Sequence, residues 1–139
     1  MTAVLTLAIP TFNADAQHLT DALESLVGPV AAAAGEVEVV VVDNGSAEDA
    51  ATFLRKCAVD YPDFTFIRHD VNLGFDRNVL RVLDDVRTAF TWYFGDDDLL
   101  QEGALPAVLR AIAANPSAAR CIACQEKLEA SQRRGPPTL

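Results

Sequence analysis

Three successive aspartates, Asp96-Asp97-Asp98, are the residues in this sequence best suited to chemistry. Adjacent carboxylates repel one another, so at least one should resist ionisation unless a cation stands among them. A hard divalent ion removes that penalty and takes oxygen ligands. Mg²⁺ and Mn²⁺ bind through one or two carboxylates and complete their shells with substrate phosphates. The plainer reading is a solvated acidic turn capping the next helix, a place where aspartate is favoured anyway. Context favours the first reading. The triplet directly follows the aromatic-rich run Thr91-Trp92-Tyr93-Phe94, and Asp43 ends another apolar run. An ionised Asp43 is acceptor-only and suits the N–H of a nucleobase. As a turn former before Asn44-Gly45 it needs no ligand. Phe12 offers a ring on which a base can stack.

The segments that must position these residues alternate between two patterns. Val4–Ile9 reads as a strand ending at Pro10, and Val37–Val42 as a β-branched strand buried on both faces. Thr65–His69 and Thr91–Phe94 are shorter strands, and Cys121–Cys124 is a candidate fifth. Between them the apolar residues recur at helical spacing. The first helix covers His18–Val30 and ends or kinks at Gly28-Pro29. The second covers Glu48–Val59, and Ser46 with Asp49 marks its start. The third, the strongest, is Asp76–Phe90 with Val79, Leu80, Val82, Leu83, Val86 and Phe90 as its stripe. The fourth covers Gly103–Asn115 and is closed by Asn115-Pro116. Such alternation predicts an α/β fold, a mostly parallel sheet with helices on both faces. Ligands then bind at the carboxyl ends of the strands, where these aspartates fall.

Composition bounds the rest. The 139 residues make one domain, expected over 1–124, with 125–139 as a polar, disordered tail. Acidic residues number 20 against 11 basic, a net charge of -9. Charge-driven binding of nucleic acid is therefore excluded, and a phosphorylated ligand needs a metal or a few placed arginines. No apolar run approaches the ~18 residues of a membrane span. The N-terminus lacks a basic start, so it does not read as a secretion signal. Three cysteines do not make a disulfide framework, and the expected compartment is a reducing cytoplasm.

Four motifs in order resemble family 2 glycosyltransferases: Ile9-Pro10-Thr11-Phe12-Asn13, Val41-Val42-Asp43-Asn44-Gly45-Ser46, Asn72-Leu73-Gly74-Phe75 with Arg77-Asn78, and Tyr93-Phe94-Gly95-Asp96-Asp97-Asp98-Leu99-Leu100. Each motif alone is weak; the order and spacing carry the resemblance over about residues 4–115. The resemblance implies the GT-A, nucleotide-diphospho-sugar transferase fold. It also implies inverting transfer of a sugar from a nucleoside diphosphate (UDP, TDP, GDP or CDP) to a hydroxyl of a saccharide or lipid-linked acceptor. On that basis Pro10, Thr11, Phe12 and Asn13 line the nucleotide pocket. Asp43 and Asn44 meet the base, and Asn72, Gly74 and Arg77 lie beside the nucleotide. Asp96 and Asp97 belong to a DxD-type motif, with Asp98 and Asp96 holding Mg²⁺ or Mn²⁺. The register within the triplet stays open.

The sequence departs from the family after Pro116, where the acceptor site and catalytic base are expected; Glu126 and Glu129 are the only later carboxylates. No base is assigned. The fold is expected to be truncated, with exposed apolar surface and self-association through it. The alternative function is a catalytically incomplete nucleotide-sugar-binding or assembly domain. Many relatives build envelope polysaccharides, so a peripheral position at the inner membrane face is also implied.

Other classes fit less well. A receiver-like signalling domain needs an acidic pair after the first strand, where Pro10-Thr11-Phe12 stands. A dinucleotide-binding module needs Gly-x-Gly-x-x-Gly there. Cys121 and Cys124 lack two further zinc ligands, and His18 and His69 read as structural or surface residues.

Overall fold

Leu5–Thr11 (β1) and Val37–Asn44 (β2) form the centre of a four-stranded parallel sheet. In the computed structural model, which describes residues 2–117, Thr65–His69 (β3) pairs with β2 and Phe90–Tyr93 (β4) pairs with β1, giving the order β3-β2-β1-β4. The helices are Ala16–Ala32 (α1), Glu48–Asp60 (α2), Phe75–Val82 (α3) and Ala104–Ala114 (α4). The candidate strand at Cys121–Cys124 and the tail at 125–139 lie outside the described residues.

The two faces of the sheet are unequally covered. Leu5, Leu7 and Ile9 alternate with Ala8 along β1, as Val39 and Val41 alternate with Val40 and Val42 along β2. The first set packs with Leu19, Leu23 and Leu26 of α1, Leu54 of α2 and Leu105 of α4 in the main core. The second meets little more than Val82 of α3, with Ile67 and Val86 at its margin. The expected burial of β2 on both faces is present, and only Glu38 is partly exposed along it.

Three boundaries differ from expectation for identifiable reasons. First, β1 runs through Pro10 to Thr11. The carbonyls of Val4 and Ala8 accept from Phe90 and Phe94, so even-numbered residues bond towards β4. The N–H that Pro10 lacks would point past the last β1–β4 pair, Ala8 with Tyr93, and no ladder bond is lost. Second, α1 continues through Gly28-Pro29 to Ala32. Its buried stripe of Leu19, Ala22, Leu23 and Leu26 lies ahead of the proline, and Val30 packs on the core beyond it. Packing on both sides outweighs one missing backbone bond.

Third, the long helix expected over Asp76–Phe90 stops at Val82 and tightens into a 3-10 turn, Leu83–Asp85. The chain must return to the amino end of the sheet, because β4 opens with Phe90 opposite Leu5. Asp85 bonds His69 Nε2 at 2.8 Å, and Thr88 bonds Thr6 at 2.6 Å, which fixes the return path. The expected apolar stripe is buried only in part: Val82 is buried, with Asn78 beside it, while Leu80 and Leu83 are exposed.

Candidate functional site

The carboxyl ends of β1, β2 and β4 converge. Parallel register sets Thr11 beside Asp43, and the Phe94 N–H bonds the Ala8 carbonyl at 2.9 Å. Two residues further on, Asp96 reaches back across the gap, and Thr11 Oγ1 donates to its Oδ2 at 2.9 Å. The triplet is thus bonded to the mouth of the first strand.

The turn after β4 is held by reciprocal bonds. The Asp98 N–H donates to the Gly95 carbonyl at 3.1 Å, and the Gly95 N–H donates to Asp98 Oδ2 at 3.1 Å. Glycine leaves room for this arrangement at position 95, since a Cβ there would lie 2.6 Å from Asp98 Oδ2 and 3.1 Å from Asp97 Oδ1 and would push both carboxylates aside. Burial pushes the Asp96 carboxyl above the ordinary aspartate range. The Thr11 hydroxyl opposes that shift, while the Asp97 and Asp98 charges reinforce it. Like-charge repulsion within the triplet thus adds to a shift that burial dominates.

Asp43 is almost fully buried. Its Oδ1 accepts from the Ser46 N–H at 3.0 Å, and its Oδ2 accepts from Arg68 Nη1 at 3.0 Å. Arg68 also donates to the Ser46 carbonyl at 3.2 Å. A carboxylate has about four acceptor positions, so Asp43 keeps capacity for a ligand while serving the turn. Asn44 lies buried beside it, and Pro10 is half-buried in β1.

The other expected site residues divide. Phe12 is 45% exposed at the mouth of the site. Asn13 adopts a left-handed backbone (φ 49°) and accepts from the Ala47 N–H at 2.7 Å, while its own N–H donates to Ser46 Oγ at 2.9 Å. It thereby joins the end of β1 to the start of α2, and Ser46 serves that joint rather than capping the helix by its side chain. Asn72 accepts from the Gly74 N–H at 2.9 Å, and Gly74 (φ 87°) opens α3. Arg77 and Asp97 are exposed. A separate groove between α2 and β3 is lined by Leu54, Arg55, Ala58, Phe66 and Arg68 beside Asp43; Thr11, Phe12 and the triplet do not line it.

Arg68 and Arg81 were not singled out by the sequence, and Asn78 stood in a motif without a role. Arg68 lies in a strand of mixed composition, Thr65–His69, where a charged residue at the strand end stands out little. Trp92 packs on the main core and meets Phe94 edge to face at 6.2 Å.

The donor set suits a hard divalent cation. Among the described residues no three His, Cys, Asp or Glu side chains form a metal cluster. A magnesium-type ion asks for less, one or two carboxylates with phosphate oxygens and water. The half-buried Asp96 beside two further carboxylates is where such a charge relieves most repulsion.

The sheet order and its covering helices are those of the GT-A fold. The chain belongs to glycosyl transferase family 2, whose model matches residues 6–138. No curated protein matches it in sequence. Among solved structures it is similar to Staphylococcus aureus TarS residues 1–349, with a TM-score of 0.63 and 21% identity over 84% of this chain and 33% of that one. The same TarS fragment in complex with UDP gives 0.62, again at 21% identity and with the same coverage. The mannosyltransferase PcManGT from Pyrobaculum calidifontis, in complex with GDP-Man and Mn²⁺, gives 0.61 at 21% identity, over 81% of this chain and 32% of that one. The chain thus spans about a third of the length of these structures. No described helix is long and apolar enough to cross a membrane.

Proposed function

We propose that this chain is the donor-binding part of an inverting glycosyltransferase that takes a nucleoside-diphosphate sugar together with Mg²⁺ or Mn²⁺. The observation that carries the reading is the Thr11–Asp96 bond, which gathers the triplet, Asp43 and Phe12 at one mouth of the sheet. Support also comes from the similar structures, one with UDP and another with GDP-Man and Mn²⁺.

Each residue then has a task. Phe12 stacks on the base, and Thr11 lines its pocket while orienting Asp96. Asp43 accepts an N–H from the base, and Arg68 holds that carboxylate in one orientation. Asn72, Gly74 and Arg77 border the nucleotide. Asp96 and Asp97 meet the ribose side, and Asp96 and Asp98 hold the cation. When bound, the cation supplies Lewis-acid stabilisation to the departing diphosphate. In the overall reaction the acceptor oxygen bonds the anomeric carbon from the opposite face as the bond to the diphosphate oxygen breaks. The acceptor proton leaves to a base that this chain's described residues do not assign.

Calorimetry with UDP, TDP, GDP and CDP, each with and without Mn²⁺, tests the reading. Heat is expected for at least one nucleotide, and only with the metal. No heat for all four in either condition rejects it. The alternative reading is nucleotide-sugar binding without transfer. Donor hydrolysis and transfer assays that stay silent while nucleotide binds would support that second reading.

A further inference from the structure

Arg81, in the last turn of α3, faces the sheet rather than solvent. Its Nη2 donates to Asn44 Oδ1 at 2.7 Å and to Asn78 Oδ1 at 3.2 Å. Its Nε is buried and makes no bond. Both acceptors are buried amides with further duties. Asn44 ends β2 and donates from Nδ2 to the Thr11 carbonyl at 3.4 Å. Asn78 accepts from the Leu73 N–H at 3.0 Å and donates to Asn72 Oδ1 at 2.6 Å. Asn72 in turn accepts from the Gly74 N–H. A continuous series of bonds therefore runs from the end of β1, through one guanidinium, to the loop at Asn72–Gly74.

That loop has little else to hold it. Val71, Leu73 and Phe75 are 60%, 42% and 83% exposed, so no apolar anchor is buried there. Its backbone also lies against the β2 turn, where a Cβ on Gly45 would meet Asn72 N at 3.0 Å and Asp70 O at 3.1 Å. A planar fork of N–H donors can span two amide oxygens on different elements, which an ammonium does less well.

We propose that Arg81 is a positioning residue. It sets the Asn72–Gly74 loop against the end of β2 and thereby sets the affinity for a nucleoside diphosphate that it does not itself touch. The affinity part rests on the proposed function; the positioning part does not.

Two measurements on the full chain test it. Amide hydrogen exchange without ligand reads the loop directly. In Arg81→Met, protection at Leu73 and Gly74 should fall about tenfold while Ile9 and Val41 keep theirs. Calorimetry with UDP and with GDP, each with Mn²⁺, should show a Kd raised about tenfold. Adding Arg81→Met to Asn78→Ala should then change Kd little further, because both act through one series of bonds. Unchanged loop protection overturns the proposal, as does a uniform loss across β1 and β2, which is the mark of a merely structural role. Nucleotide binding that persists unchanged in Arg81→Met overturns the affinity part. If Arg81→Met does not fold, Arg81→Lys is read by the same two measurements and the same outcomes. If the wild type binds neither nucleotide, the proposed function fails for both, and hydrogen exchange still decides the positioning role.

Discussion

Gly95→Ala separates the acidic turn as a binding device from the acidic turn as a structural one. The backbone at Gly95 is not in the left-handed region, so alanine brings no φ strain there. The new Cβ would stand 2.6 Å from Asp98 Oδ2, whereas ordinary contact begins at 3.4 Å, so the carboxylate must retreat by about 0.8 Å. Its bond to the Gly95 N–H then breaks, and Asp97 Oδ1, at 3.1 Å, is pushed as well. In a part-exposed turn that bond is worth about 1 kcal/mol. The smaller conformational freedom of unfolded alanine returns about 0.4–1 kcal/mol. The melting temperature should therefore move by no more than about 4 °C. Metal coordination tolerates displacements of only about 0.2 Å. A shift of 0.8 Å should therefore weaken Mn²⁺-dependent nucleotide binding about 10- to 100-fold. Calorimetry with the nucleotide that the wild type binds, beside thermal melts of both proteins, gives the answer. Unchanged affinity would refute the assignment of Asp98 to the metal, and a fall of more than ten or so degrees in melting temperature would make the turn primarily structural.

Two other perturbations follow from the charges. The Asp96 carboxyl is raised in the folded state, mainly by burial, so folding favours its protonated form. The stability it contributes is full below its ordinary value of 3.8 and is lost as pH climbs through its raised value. Asp96→Asn should therefore melt higher than wild type at neutral pH and lose metal-dependent nucleotide binding; a lower melting temperature across pH 4–8, a range above the ordinary value, contradicts the sign. Arg68→Met leaves Asp43 buried without its cation. With Arg68 itself 41% exposed, the cost is discounted to about 1–2 kcal/mol. Urea unfolding should show this loss, and adding Asp43→Asn should recover part of it.

The sheet was legible because its signals are local. The run Val37–Val42 lacks any helical spacing, and Asp43-Asn44-Gly45 punctuates it, so strand and strand end were both readable. The triplet was legible for the same reason. The extent of α3 was not, because periodicity counts apolar residues without saying what covers them. Leu80 and Leu83 continue the period yet stand exposed, and the helix is stopped by the need to begin β4 opposite Leu5. The bonds that shape the site are also long-range. Arg68 meets Asp43 across 25 positions and Arg81 meets Asn44 across 37. Nothing in the local pattern at either end marks its partner.

The two strand-end aspartates resolve their charge in opposite ways, and this separates their roles. Asp43 is the more buried, and a guanidinium stands 3.0 Å from it. Its charge is matched within the fold, and its carboxylate is held in one orientation by Ser46 and Arg68. Asp96 is bonded by a neutral hydroxyl and its own backbone, while burial chiefly, and two further carboxylates in addition, raise its pKa. A cation added at Asp43 would compete with Arg68 and gain little. A cation added at Asp96 would lift a burial penalty and a like-charge penalty together, and would lower the carboxyl back towards ionisation. On this ground we propose the metal at the β4 turn and the base contact at the β2 end, although both sites present the same side chain.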